Sequence, residues 1–65
     1  MDALDTYNKA LSINPNYAEA LLNKGNTLDK LGRYEQAIFA FNSALAIKPD
    51  YAEAYNNLGN IFRKR

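Results

Sequence analysis

Asn14-Pro15-Asn16-Tyr17-Ala18-Glu19-Ala20 returns 34 positions later as Lys48-Pro49-Asp50-Tyr51-Ala52-Glu53-Ala54. The match runs outward from both copies. Upstream, Ala10-Leu11 and Ile13 fall on Ala44-Leu45 and Ile47. Downstream, Asn23, Gly25, Asn26 and Lys30 fall on Asn57, Gly59, Asn60 and Lys64. Fourteen of the 31 residue pairs that a shift of 34 superposes are identical. A fixed period of this length marks a stacked-repeat architecture, in which each unit buries its apolar face only against its neighbours.

Within each period the apolar residues recur at helical spacing, and they do so twice. Ala18, Leu21, Leu22, Gly25 and Leu28 make one stripe, and Ala37, Ile38, Phe41, Ala44 and Leu45 make the next. Their copies are Ala52, Tyr55, Leu58, Gly59 and Phe62, and Ala3, Leu4, Tyr7, Ala10 and Leu11. The pattern predicts an all-α chain of four antiparallel helices near 2–13, 18–31, 35–47 and 52–64. Pro15 and Pro49 interrupt it where helices must end. Asn16 and Asp50 are the expected N-caps, with Glu19 and Glu53 three residues on as capping-box partners. Gly32 is the expected left-handed C-cap. Gly25 and Gly59 sit mid-helix, where glycine costs about 1 kcal/mol against alanine. Their recurrence at the period implies a close approach between helices that offsets this cost.

Composition narrows the function. The chain has 65 residues, no Cys, no His and no Trp, and a net charge of +1. Without Cys or His there is no disulfide, no zinc-finger ligand set and no imidazole base. Ser12, Ser43, Thr6 and Thr27 therefore have no partner for nucleophilic catalysis. The isolated Gly25, Gly32 and Gly59 form no phosphate-binding loop. The expectation is a protein that is not an enzyme and holds no cofactor or metal. The near-neutral charge argues against a nucleic-acid or membrane surface, and Arg63-Lys64-Arg65 reads as a helix end. No apolar run is long enough to cross a bilayer. No signal-like segment precedes the first helical pattern, so a cytoplasmic setting is expected.

These residues resemble the tetratricopeptide repeat (TPR). Tyr55-x2-Leu58-Gly59-x2-Phe62 matches the family's first helix, and Leu21-x2-Lys24-Gly25-x2-Leu28 matches it with Lys24 in place of an apolar residue. Ala37-x3-Phe41, Ala44 and Pro49 match the second helix, as do Ala3-x3-Tyr7, Ala10 and Pro15. The resemblance implies an α-solenoid fragment in the order B-A-B-A. Residues 1–17 would be helix B of a preceding repeat, 18–51 one complete repeat, and 52–65 helix A of a following one. It also implies a right-handed superhelix whose A helices line a concave, peptide-binding face.

The expected binding stripe is Glu19, Asn23, Asn26 and Lys30 on one A helix and Glu53, Asn57, Asn60 and Lys64 on the other. The spacing of four, three and four residues puts each set on one helix face. The two sets are identical, whereas the outward positions of the B helices drift. Asn is a poor helix former, yet it recurs four times here. A carboxamide both donates and accepts, and so can pair with a peptide's C=O and N–H together. The chain is similar in this respect to the repeats of O-linked N-acetylglucosamine transferases, whose asparagine ladder holds an extended peptide. The family's carboxylate clamp needs Lys where Leu22 stands. Partners are therefore expected to be proteins or peptides.

A second expectation is self-assembly. The first and last helices would each expose an apolar face, carried by Leu4, Tyr7 and Leu11 and by Tyr55, Leu58 and Phe62. Head-to-tail stacking of copies through these faces would give an open homo-oligomeric array.

Overall fold

A computed structural model describes residues 3–64. It contains four helices: α1 (Ala3–Ile13), α2 (Ala18–Lys30), α3 (Tyr34–Ile47) and α4 (Ala52–Lys64). The expected start at residue 2, and Arg65 of the basic run, lie outside the described residues. The expected bounds of α2 and α3 shift by one residue: α2 ends at Lys30 and α3 begins at Tyr34. Neighbours in sequence pack against each other, with the α2–α3 hairpin the most extensive pair, and α2 also meets α4.

The turn that closes the hairpin follows from Gly32, at φ +78°. There the chain enters the left-handed region that only glycine adopts without strain. The Gly32 N–H donates to the Asp29 carbonyl at 3.0 Å and the Arg33 N–H to the Leu28 carbonyl at 2.9 Å. These two bonds form a Schellman cap and satisfy the last carbonyls of α2.

The helix starts differ from expectation. Tyr17, not Asn16, is the N-cap of α2, and no side chain caps it. Asn14 folds its own side chain into the turn instead, where its Oδ1 accepts the Asn16 N–H at 3.2 Å. The turn from Asn14 to Tyr17 is closed by the Tyr17 N–H on the Asn14 carbonyl at 3.2 Å, and its copy by Tyr51 on Lys48 at 3.1 Å. Asn16 and Asp50 are consumed in these turns. Glu19 and Glu53 thus fall at the second helical residue, where their charge opposes the positive end of the helix dipole without closing a capping box.

The core is built from both elements of the hairpin and from α4. Leu22, Leu28, Ala37, Ala40, Phe41, Ala54, Leu58 and Ile61 form one buried cluster. Phe41 and Ile61 are its largest fully buried side chains. No polar or charged side chain is buried among the described residues. Gly25 explains how Phe41 fits. A Cβ at Gly25 would lie 2.5 Å from Phe41 Cε1 and 2.8 Å from its Cδ1 and Cζ. Of the close approaches expected at the two mid-helix glycines, the one at Gly25 is present, and it receives the Phe41 ring. The gap above Gly59, its copy on α4, holds no atom within 4 Å of the same Cβ position.

Candidate protein-binding face

α2 and α4 lie close enough for their side chains to join directly. The Asn57 amide on α4 donates from Nδ2 to Asn26 Oδ1 on α2 at 2.8 Å. Nearer the C-terminal ends of both helices, Lys64 Nζ sits 3.1 Å from both carboxylate oxygens of Asp29. Two of the expected stripe residues, Asn26 and Asn57, are thereby brought together, and Asn23 and Asn60 extend the same faces on either side. All four amides are part-exposed. Asn26 and Asn57 each spend one hydrogen-bonding position on the other. A carboxamide has two donor hydrogens and two acceptor lone pairs, so Asn57 keeps one N–H and its oxygen, and Asn26 keeps both N–H groups.

The charged ends of the stripe are arranged less simply. Lys64 is not a free cation, because Asp29 holds it. This pair is largely exposed on the lysine side, so it fixes geometry more than it adds stability. Asn60 Oδ1 accepts from the Arg63 guanidinium. Lys30 is exposed, with no partner among the described residues. Glu19 and Glu53 both act on Tyr51. Its hydroxyl pKa is raised above the ordinary 10.0, first by burial and then by the negative charges of Glu53 and Glu19. Lys48 Nζ stands 4.7 Å from the centre of the same ring. Tyr51 thus packs at the helix junction, between the acidic starts of the two stripes.

Asp29 and Arg63 bond to stripe residues and were passed over by the repeat comparison. They occupy equivalent positions but differ, and a search for identity between copies ignores such pairs. The signal that could have found them is position: each lies three residues beyond an amide of the stripe. Among the expected self-association residues, Leu58 must be corrected. It is only 8% exposed and belongs to the core cluster, because the side of α4 carrying Leu58 and Ile61 faces α3. Tyr55 and Phe62 remain on the open side, 58% and 57% exposed. On α1, Leu4, Tyr7 and Leu11 are half-buried, and Leu4 packs against the core. No cluster of three or more His, Cys, Asp or Glu side chains suited to a metal occurs among the described residues. No described helix is long and apolar enough to cross a membrane.

Helical hairpins repeated every 34 residues, with a glycine recurring at the same period, define a stacked-repeat protein. The family models agree. A TPR repeat model matches residues 25–64 and a tetratricopeptide repeat model matches residues 6–39. The chain belongs to the tetratricopeptide repeat family. Repeats of this family generally mediate protein–protein interaction and are typically non-catalytic scaffolds. The chain is also 51% identical, over 35 residues, to an uncharacterized protein of Methanocaldococcus jannaschii. That match covers 54% of this chain and 41% of the relative's length.

Proposed function

We propose that the chain binds an extended peptide segment of a partner protein on the face carried by α2 and α4. These two are the A helices of a B-A-B-A arrangement with one whole repeat at 18–51. The observation that carries this reading is the 2.8 Å hydrogen bond from Asn57 to Asn26. It holds amides of successive A helices side by side on one face, each with spare donors and acceptors. Such a row pairs with peptide C=O and N–H groups and tolerates variation in the ligand's side chains, as the asparagine ladder of O-linked N-acetylglucosamine transferases does. Glu19, Lys30 and Glu53 supply charge at its ends, while Lys64 and Asp29 set the spacing between helices. Two rungs bury little area, so affinity for a short peptide is weak.

The test uses Asn23→Ala with Asn57→Ala. Both sites are part-exposed and alanine is the better helix former, so folding is retained. Capture on an array of unrelated extended peptides should fall by at least tenfold, with melting temperature changed by only a few degrees. Equal capture by wild type and variant would remove the amides from the binding account.

A second reading, head-to-tail association of copies, is favoured by a different observation. Gly25 is filled by Phe41, while the equivalent notch at Gly59 is open and flanked by exposed Tyr55 and Phe62. α1 carries Ala3, Tyr7 and Ala10 at the positions that Ala37, Phe41 and Ala44 occupy on α3. Tyr7 of a second copy would enter the Gly59 notch as Phe41 enters that of Gly25. Sedimentation should then show mass rising with concentration, and Phe62→Asp should suppress the rise. A wild-type chain that stays monomeric at millimolar concentration would dismiss this association.

A further inference from the structure

A groove of about 220 Å³ lies between α2 and α3, lined by Leu21, Lys24, Leu28, Gln36, Phe39 and Ala40. It shares no residue with the amide stripe. At 3.6 residues per turn, Leu21, Lys24 and Leu28 project from roughly the opposite side of α2 to Asn23 and Asn26. α1 already packs on α2 and α4 on α3, and the groove stays open with both neighbours in place. It is therefore distinct from the terminal faces that stacking would cover.

The repeat supplies an internal control. Every residue lining the groove differs from its counterpart 34 positions away, whereas the stripe is identical between copies. The differences alter the walls, the rim and the charge of the groove. Leu21 and Leu28 stand where α4 has Tyr55 and Phe62, so the walls are smaller and leave space. Phe39 and Ala40 stand where α1 has Asp5 and Thr6, so the rim is more apolar. Phe39 is 74% exposed. Lys24 stands where α4 has the core residue Leu58, and it has no hydrogen bond or ion pair among the described residues. An apolar seam has acquired space, an exposed ring and one uncompensated cation.

We propose that this groove is a second docking site, taking a peptide segment that presents one bulky apolar side chain beside a carboxylate. The volume falls below the roughly 300–1,000 Å³ of pockets that enclose whole small molecules, and suits a single anchor side chain. Leu21, Leu28 and Ala40 receive the anchor and Phe39 covers it, in the manner of a hot-spot residue seated in an apolar pocket. Lys24 selects for the adjacent carboxylate. Lys24 lines a largely apolar groove, where an ion pair is screened less than in open solvent. This inference stands apart from the amide stripe, since it uses other residues and predicts a different specificity.

The test is an NMR titration of the chain with two capped tetrapeptides, one with glutamate beside phenylalanine and one with glutamine in its place. The glutamate peptide should shift the signals of Leu21, Lys24 and Phe39 and bind about twofold to fivefold more tightly than the glutamine peptide, the range expected of one part-exposed ion pair. Lys24→Leu, which installs the residue of the neighbouring repeat, should make the two peptides equal. Leu21→Tyr, chosen on the same ground, should fill the groove and abolish both. Phe39→Asp alters an exposed ring and so leaves folding intact, and it should weaken both peptides. Equal affinity of the two peptides for the wild type, or shifts confined to residues outside the groove, would overturn the proposal.

Discussion

Phe41→Ala should leave the chain largely unfolded at 25 °C. The ring is fully buried in the cluster that joins α2, α3 and α4, and it rests on the backbone of α2 at Gly25. Truncating a buried phenylalanine to alanine costs about 3–5 kcal/mol in lost burial and residual cavity. A domain of this size has a total stability of only about 3–10 kcal/mol at the usual 0.05–0.15 kcal/mol per residue. The loss is comparable with the whole. Far-UV circular dichroism at 25 °C should show most of the helix signal gone. A cooperative melt within a few degrees of the wild type would mean that the ring is not the joint the packing requires.

The second large effect is a difference of sign between two glycines that look alike in sequence. Gly59→Ala should stabilise the chain by up to about 1 kcal/mol, because the added methyl meets nothing and alanine is the better helix former. In a domain of this size that raises the melting temperature by about 4–8 °C. Gly25→Ala gains the same propensity but drives a methyl into Phe41, whose ring is enclosed on all sides and cannot swing away. Overpacking of this kind costs about 1–3 kcal/mol, so the net change is destabilising and the melting temperature should fall. Movement of both variants in the same direction would contradict the packing described for this pair. Should copies associate through α4, Gly59→Ala would also weaken that association by closing the notch for Tyr7, so thermal stability and assembly would move in opposite senses.

Much of this architecture is legible in the 34-residue period. Identity between copies located the four helices, the two proline turns and the glycine notch, whereas Gly32, which has no counterpart 34 positions away, is legible as a cap from its own chemistry. Identity succeeded because each of the features it located depends on local chemistry that both repeats must satisfy. The misread features depend on geometry that a single copy does not encode. Asn16 and Asp50 have the right chemistry for N-caps, but the turn after each proline needs one more residue before the helix begins. Tyr17 therefore occupies the cap of α2, and Asn14 does the side-chain bonding. Leu58 falls on the apolar stripe of α4 with Tyr55 and Phe62, and periodicity does not say which edge of that stripe meets α3. Packing turned Leu58 and Ile61 inward and left Phe62 outside.

The stripe itself was legible as a pattern but not as a contact. Two identical rows of amides invite pairing of like with like, Asn23 with Asn57 or Asn26 with Asn60. The pairing that forms joins Asn57 to Asn26, 31 residues apart, and the ion pair joins Lys64 to Asp29, 35 apart. Asn57 meets a residue one turn beyond its copy Asn23, and Lys64 meets the residue next to its copy Lys30, so contacts between neighbouring A helices do not join equivalent positions. The groove at Lys24 and Phe39 escaped for the opposite reason: it is made entirely of departures from the repeat, and identity is blind to those.

The claim that the amides of α2 and α4 read a peptide backbone is tested most directly by watching their side-chain NH₂ signals. The chain would be titrated by NMR with a capped, extended serine-rich octapeptide and with the same peptide N-methylated along its backbone. The account predicts that the NH₂ resonances of Asn23, Asn26, Asn57 and Asn60 move with the first peptide and move far less with the second, which keeps its carbonyls but lacks the N–H donors that the carboxamide oxygens accept. Equal movement with both peptides, or movement with neither, would contradict it.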